Sequence, residues 1–259
     1  MHHPNNLKPK HVYSLLGKWR NGEDAIAIGT IKNRLATLRW LSDKVSNSGF
    51  IRSTNDAYDL PNRSYVGPDK SLDFDSGKLA NIPDDRVRLS AELQKHFGLR
   101  REEAIKFTVS FADRGDHIKL KSSWCKGGRE RTIPVFTQEQ RNLLNSIKTA
   151  VGNSSLIPSH LKYVQQMRIF EKQMHAVGLG RTHGARHMYA QRRYEELTKE
   201  VQTRITGYEL GGFKCPAQGG LKPGEMLDSD KSIDREVRQI ISRELGHERI
   251  QVTAQYLGG

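Results

Sequence analysis

The chain has 259 residues, 36% apolar and 27% charged, with a formal net charge of +13 from 42 Lys+Arg against 29 Asp+Glu. That length suits one or two domains with a real core. No apolar run approaches the ~18 residues that span a bilayer, and the opening MHHPNNLKPK lacks the apolar stretch of a signal peptide, so a membrane-spanning or signal-directed secreted protein is disfavoured. Cys125 and Cys215 are too few for a disulfide framework and lack the spacing of a zinc site, which fits a reducing, cytosolic setting. The positive excess favours an anionic partner, nucleic acid first, although ribosomal and membrane-surface proteins share this balance.

LKPKHVYSLLGKWR carries Val12, Leu15, Leu16 and Trp19 at helical spacing. TIKNRLATLRWLSDKV is a stronger helix, with Thr30 as its expected cap and Ile31, Leu35, Leu38, Leu41 and Val45 in one stripe. Lys32, Arg34 and Arg39 lie mostly off that stripe, as a solvated face or as phosphate contacts. Residues 52–72 are rich in Asn, Asp, Ser, Pro and Gly without a period, and read as an extended linker with a domain boundary near Tyr65–Gly67.

A helix is expected over residues 76–97, ending at Gly98, with another helical stretch at LRREEAIK. FTVSFA and HIKLKSS, separated by the turn DRGD, and then RTIPV predict a small antiparallel sheet. Thr137 and Gln140 stand at capping-box spacing before the next helix. Helices follow at about 159–177, 184–203 and 230–245, the last stopping at Gly246, and a short one holds ERIQVTAQYL. Between them, residues 206–231 form a Gly/Pro-rich loop of a length usually found in functional or mobile segments.

Five places carry residues suited to chemistry. In GLRREEAI, Arg100 and Glu103 share a helix face, so the carboxylate can orient the guanidinium; the bland reading is a surface ion pair. In WCKGGRERTIPV, Lys126 sits at a Gly-Gly turn between strands, which taken alone is an ordinary basic hairpin. In RTHGARHMYAQRRYEEL, His183 and Arg186 share a face near a helix N-terminus, an arrangement that suits a phosphate. His187 is read as pointing elsewhere, and Arg192 and Arg193 as a solvated or DNA-backbone face. In RELGHERI, His247 alone reads as a cap or packing residue, and Tyr256, nine residues later, as an ordinary tyrosine.

Together, in this order, these segments resemble the tyrosine recombinases, the phage-integrase family. That family carries an Arg in a GLR segment, a Lys on a β-hairpin, an HxxR pair, a His in an LGH segment, and a Tyr nine residues after it. Arg100, Lys126, His183 with Arg186, His247 and Tyr256 match those places. The likeness covers nearly all of 73–259 and is greatest to integrase-domain proteins of bacterial phages and integrative elements, which share segments such as LKPKHV, GTIKNR and AQRRYEEL.

The resemblance implies a mostly α fold with a small antiparallel β-sheet. Residues 1–66 would form a helical core-binding, DNA-binding domain and 67–259 the catalytic domain. The family's core-binding domain is a four-helix unit, so two or three helices here are what a truncated copy would leave. The chain stops three residues after Tyr256, where many relatives continue into a helix that docks on a neighbouring protomer. The 60 residues between Arg186 and His247 exceed the usual gap, and the Gly/Pro-rich loop accounts for the excess.

The implied reaction is DNA strand exchange through a covalent phosphotyrosine, integrating or excising a mobile element. The residue types suit it. Two arginines can fork onto the non-bridging oxygens of a phosphodiester in its transition state, as Arg100 and Arg186 would. A phenol titrates near 10, and cations and a base favour its phenolate. His183 is the expected base, His247 a donor to the phosphate, Lys126 the general acid for the departing 5′ oxygen, and Glu103 the support of Arg100. No metal is expected, because the arginines take that role, and no nucleotide, because there is no P-loop.

The expected partners are double-stranded DNA attachment sites, held by a C-shaped clamp in a homotetramer with accessory DNA-bending proteins, in the bacterial cytoplasm at the nucleoid. Lys32, Arg34, Arg39, Arg129 and Arg131 are the expected phosphate contacts, which position without reading sequence. The alternatives are a type IB topoisomerase-like nicking-closing enzyme and a non-catalytic DNA-binding protein derived from an integrase.

Overall fold

A computed structural model describes residues 3–21, 23, 25–62 and 66–259. By their contacts the residues divide into two compact units, Met1–Ser64 and Tyr65–Gly259. Tyr65, at the expected boundary, lies outside the described residues.

The first unit is built on α1 (Pro9–Asn21) and α2 (Ile28–Lys44). Val12 and Leu16 of α1 and Ile31 and Leu35 of α2 bury their side chains with Phe50, Tyr58 and Leu60. α2 starts before Thr30, at Ile28, and Ala27 ahead of it makes no side-chain cap. Ile26 and Ile28 pack against this core. Burying those two side chains outweighs the ~1 kcal/mol a threonine cap would add. Residues 52–62 are also not an extended linker. Tyr58 and Leu60 are buried, and the Tyr58 hydroxyl accepts the Arg52 N–H at 2.8 Å.

The second unit is mostly helical around a two-stranded antiparallel sheet. The single helix expected over 76–97 is two, α3 (Ser76–Ala80) and α4 (Asp85–Phe97). Pro83 interrupts the ladder between them. Asp84 then caps α4, accepting the N–H groups of Arg86 at 2.8 Å and Val87 at 3.3 Å. α5 (Arg101–Ile105) follows. The FTVSFA run is not a strand: it carries the one-turn α6 (Val109–Ala112). Phe107, Val109 and Ala112 are buried, a pattern that helix and strand spacing both accommodate in so short a run.

The sheet pairs β1 (His117–Leu120) with β2 (Arg131–Pro134), Ile118 opposite Ile133. α7 (Gln138–Val151) begins with the expected capping box: Thr137 Oγ1 accepts the Gln140 N–H at 3.1 Å, and Gln140 Oε1 accepts the Thr137 N–H at 3.2 Å. Next come α8 (Tyr163–Ala176), α9 (His183–Thr206), α10 (Asp228–Glu244) and the short α11 (Ala254–Leu257).

α9 is central and packs against α4, α10 and α11. Its buried row of Arg186, Ala190, Tyr194, Leu197 and Val201 recurs every three or four residues. The Gly/Pro-rich connection from α9 to α10 is anchored. Cys215 is fully buried, and Phe213 donates its N–H to Thr198 Oγ1 at 2.8 Å. No helix among the described residues is long and apolar enough to cross a membrane.

Candidate active site

Three chain segments meet around Tyr256, and a fourth carries Lys126. The first is the reversal after α4. Gly98, at φ 60°, stops that helix, and Arg100 then precedes α5. Glu103, one turn on, reaches back: its Oε2 accepts the Arg100 N–H at 2.7 Å, and its Oε1 accepts Arg100 Nη1 at 2.9 Å. Arg100 Nη2 donates to the Leu245 carbonyl at 3.2 Å. The guanidinium is thus fixed while part of it stays accessible.

The second segment is the start of α9. Arg186 is fully buried, and Nη1 donates to the Gly98 carbonyl at 2.5 Å and Nη2 to that of Leu245. Nε donates to the Tyr256 hydroxyl at 3.4 Å. Burial lowers its pKa to about 10, although the nearby Tyr256 opposes the shift. It remains a cation at neutral pH. His183, one turn earlier, is accessible, with its ring centre 6.1 Å from that of Tyr256. Burial and then the charges of Arg186, Arg100 and Lys70 lower its pKa.

The turn after α10 is the third segment. His247 Nε2 lies 3.1 Å from the Tyr256 hydroxyl. Burial first, then Arg186, Arg100 and Arg131, hold this imidazole down at about 4. It is neutral at pH 7 and can accept a proton. The sequence reading gave the base's role to His183. The histidine in hydrogen-bond distance of the phenol is His247, because Gly246 and the 3₁₀ turn Ile250–Thr253 fold α11 back against it. His187 also departs from expectation. It does not point elsewhere: its ring is buried 4.6 Å from that of Tyr256.

The fourth segment is the β1–β2 connection. Gly128 donates its N–H to the Cys125 carbonyl at 3.0 Å, closing a tight turn with Lys126 at its tip. Lys126 is exposed.

Arg131 is not a surface phosphate contact. Its side chain is 6% exposed and grips Glu103 with both ends of its fork, Nη1 to Oε1 at 2.7 Å and Nη2 to Oε2 at 2.6 Å. Burial pushes the Glu103 carboxyl up; the Arg131 bonds and the charges of Arg131, Arg186 and Arg100 outweigh it and hold the pKa at about 2. Arg193 is likewise buried. It pairs with Glu244 at 3.2 Å, and its guanidinium carbon lies 4.0 Å from the Phe136 ring centre.

Strand alternation carried a signal for Arg131, two residues from the buried Ile133 and so on the same face. Arg193 lies seven residues after Arg186, on the same side of α9. The Gly98 and Leu245 carbonyls that aim the arginines had no sequence signal at all.

The other expected DNA contacts divide. Arg129 pairs with Glu248. In the first unit Arg39 is committed internally, donating Nε to the Arg52 carbonyl at 2.8 Å and Nη1 to Asn55 Oδ1 at 3.0 Å. It braces residues 52–55 instead of presenting its charge. The Arg34 guanidinium carbon lies 5.1 Å from the Trp19 ring centre, on an exposed position, and Lys32 is half-buried. Among the described residues no cluster of His, Cys, Asp or Glu could hold a metal ion.

A family model described as integrase matches residues 73–192. No curated protein matches the chain. Solved structures share the fold. The XerH site-specific recombinase bound to palindromic difH substrate is 15% identical, with 97% of this chain and 67% of that one covered at a TM-score of 0.55. A lambda integrase (75–356) dimer bound to a COC′ core site is 16% identical, covering 81% and 79% at 0.53. The Tn1549 transposon integrase (82–397), in complex with circular intermediate DNA, is 13% identical, covering 100% and 83% at 0.53. The integrase model spans the segment that holds Arg100, Lys126, His183 and Arg186, and the chain shares the fold of these solved recombinases.

Proposed function

We propose that this protein is a site-specific DNA recombinase that cleaves and rejoins strands through a 3′-phosphotyrosine, to integrate or excise a mobile element. The observation that carries the reading is the convergence of Arg186 and His247 on the Tyr256 hydroxyl, with Arg100 sharing the Leu245 carbonyl with Arg186.

The reaction follows from these positions. The scissile phosphate sits between Arg100 and Arg186, which take its non-bridging oxygens and stabilise the charge that grows in the pentavalent transition state. Tyr256 Oη attacks phosphorus as its proton passes to His247 Nε2, and His183 donates a hydrogen bond to the phosphate. The P–O5′ bond breaks, and Lys126 protonates the leaving 5′ oxygen. In the second half the 5′-hydroxyl of the partner strand attacks the phosphotyrosine and releases Tyr256. The covalent intermediate conserves the phosphoester bond, so resealing needs no nucleotide.

Binding draws on the net charge of +13. Lys32, Arg34 and Arg129 are the phosphate contacts retained from the sequence reading. The working assembly is a homotetramer on paired attachment sites, a reading that the dimeric and tetrameric DNA complexes of lambda integrase support.

The test is capture of covalent protein–DNA adducts in bacterial cells carrying candidate element DNA. Wild type should yield adducts at one short site, and Tyr256→Phe none, with DNA affinity within about threefold because only a hydroxyl is lost. Adducts that persist in Tyr256→Phe refute the nucleophile. Adducts scattered without preference indicate a nicking-closing enzyme, and DNA binding without adducts a non-catalytic protein.

A further inference from the structure

Arg131 connects three parts of the site that lie far apart in sequence. Its fork holds both oxygens of the fully buried Glu103, and Glu103 holds Arg100. Arg131 Nη1 also donates to Cys125 Sγ at 3.5 Å, next to Lys126. Nε donates to the Glu244 carbonyl at 2.8 Å, just before the turn that presents His247.

We propose that Arg131 is the positioning residue that keeps Arg100, the Lys126 turn and the His247 turn in register for an oxyanion. The inference rests on the reading of Arg100 as a phosphate ligand. Its logic is competition for Glu103. The Arg131 fork satisfies the buried carboxylate on both oxygens. The Arg100 side chain can then anchor to Glu103 through Nη1 alone and, beside the Nη2 bond to the Leu245 carbonyl, keep its remaining guanidinium N–H groups for a ligand. Without the fork, Arg100 would be the carboxylate's main partner and would be drawn inward. Lysine cannot substitute, because a point charge cannot bridge two oxygens, a sulfur and a carbonyl in one plane.

Removing Arg131 alone strands a buried charge and threatens the fold. The test therefore uses two variants of the full chain. Arg131→Lys keeps the charge and loses the fork. Glu103→Gln combined with Arg131→Met removes both buried charges together. Inorganic vanadate, a tetrahedral oxyanion, is titrated calorimetrically into each, beside a thermal melt. With Tm near that of wild type, vanadate affinity should fall about tenfold or more in both, as expected for a misaligned charge-assisted contact. Unchanged affinity in the folded double variant overturns the proposal, as does failure of wild type to bind vanadate. Adduct formation is measured separately on the same proteins. A wild type that binds vanadate in an Arg131-dependent way but forms no Tyr256 adduct refutes the recombinase reading and leaves the positioning role standing.

Discussion

His247 and His187 are both held near 4, from an ordinary 6.5, chiefly by burial and then by neighbouring positive groups. Depressed histidines stabilise the fold least in acid. The unfolded chain takes up their protons near 6.5, while the folded chain resists until about 4. Stability therefore falls as pH drops through that interval. Glu103 adds a second, lower window. Its folded pKa of about 2 against an ordinary 4.5 contributes stability above 4.5 that is lost as pH falls toward 2. Urea melts from pH 7 to pH 2.5 should show both declines, and Glu103→Gln should flatten the lower one. An unaltered lower arm in that variant would mean that Glu103 is not the group responsible. Under the proposed reaction the cleavage rate should fall too as His247 protonates toward pH 4, because the protonated ring cannot accept the phenol's proton.

At the scale of elements, two glycines hold segments of the site together. Gly98 has φ 60°, and a Cβ there would sit 2.4 Å from the buried Tyr189 ring. Its carbonyl is also an Arg186 acceptor. Gly98→Ala should cost about 2–4 kcal/mol from left-handed strain plus overpacking, and under the proposed reaction should slow cleavage by disturbing Arg186. Gly184, beside His183, lets residues 70–72 lie on the start of α9. A Cβ would meet Leu72 Cβ at 2.6 Å and the Lys70 carbonyl at 2.8 Å. Gly184→Ala should cost about 1–3 kcal/mol. Chemical denaturation checks both, and a variant as stable as wild type would show that the neighbouring chain yields freely. The long helices were legible because their apolar rows persist over several turns, as in α7 and α9. FTVSFA was not, since six residues fit either period.

For the whole molecule, the apolar clusters follow the division of the chain. Val12, Leu16, Ile31 and Leu35 form a cluster with Phe50, Tyr58 and Leu60, all within the first unit. The larger clusters draw only on the second. Leu35 is fully buried, so Leu35→Ala should cost about 2–5 kcal/mol within the first unit. Calorimetry should then show an early transition shifted down, with the main transition in place. A single transition that moves as a whole would mean the two units unfold together.

The sequence by itself determined the helical class, most helix positions and the order of the six candidate residues, because these are written in periodicity, caps and local spacing. It also located Glu103 as the partner of Arg100, a contact one turn long. Tertiary structure decided which cations are available to a ligand and which are spent inside. Arg131, Arg193 and Arg39 look as basic in sequence as Lys126, yet each is committed to a partner far along the chain or across a loop. It likewise decided which histidine meets Tyr256. Both outcomes depend on burial and on backbone carbonyls brought in from remote turns, and neither leaves a mark on the local order of residues.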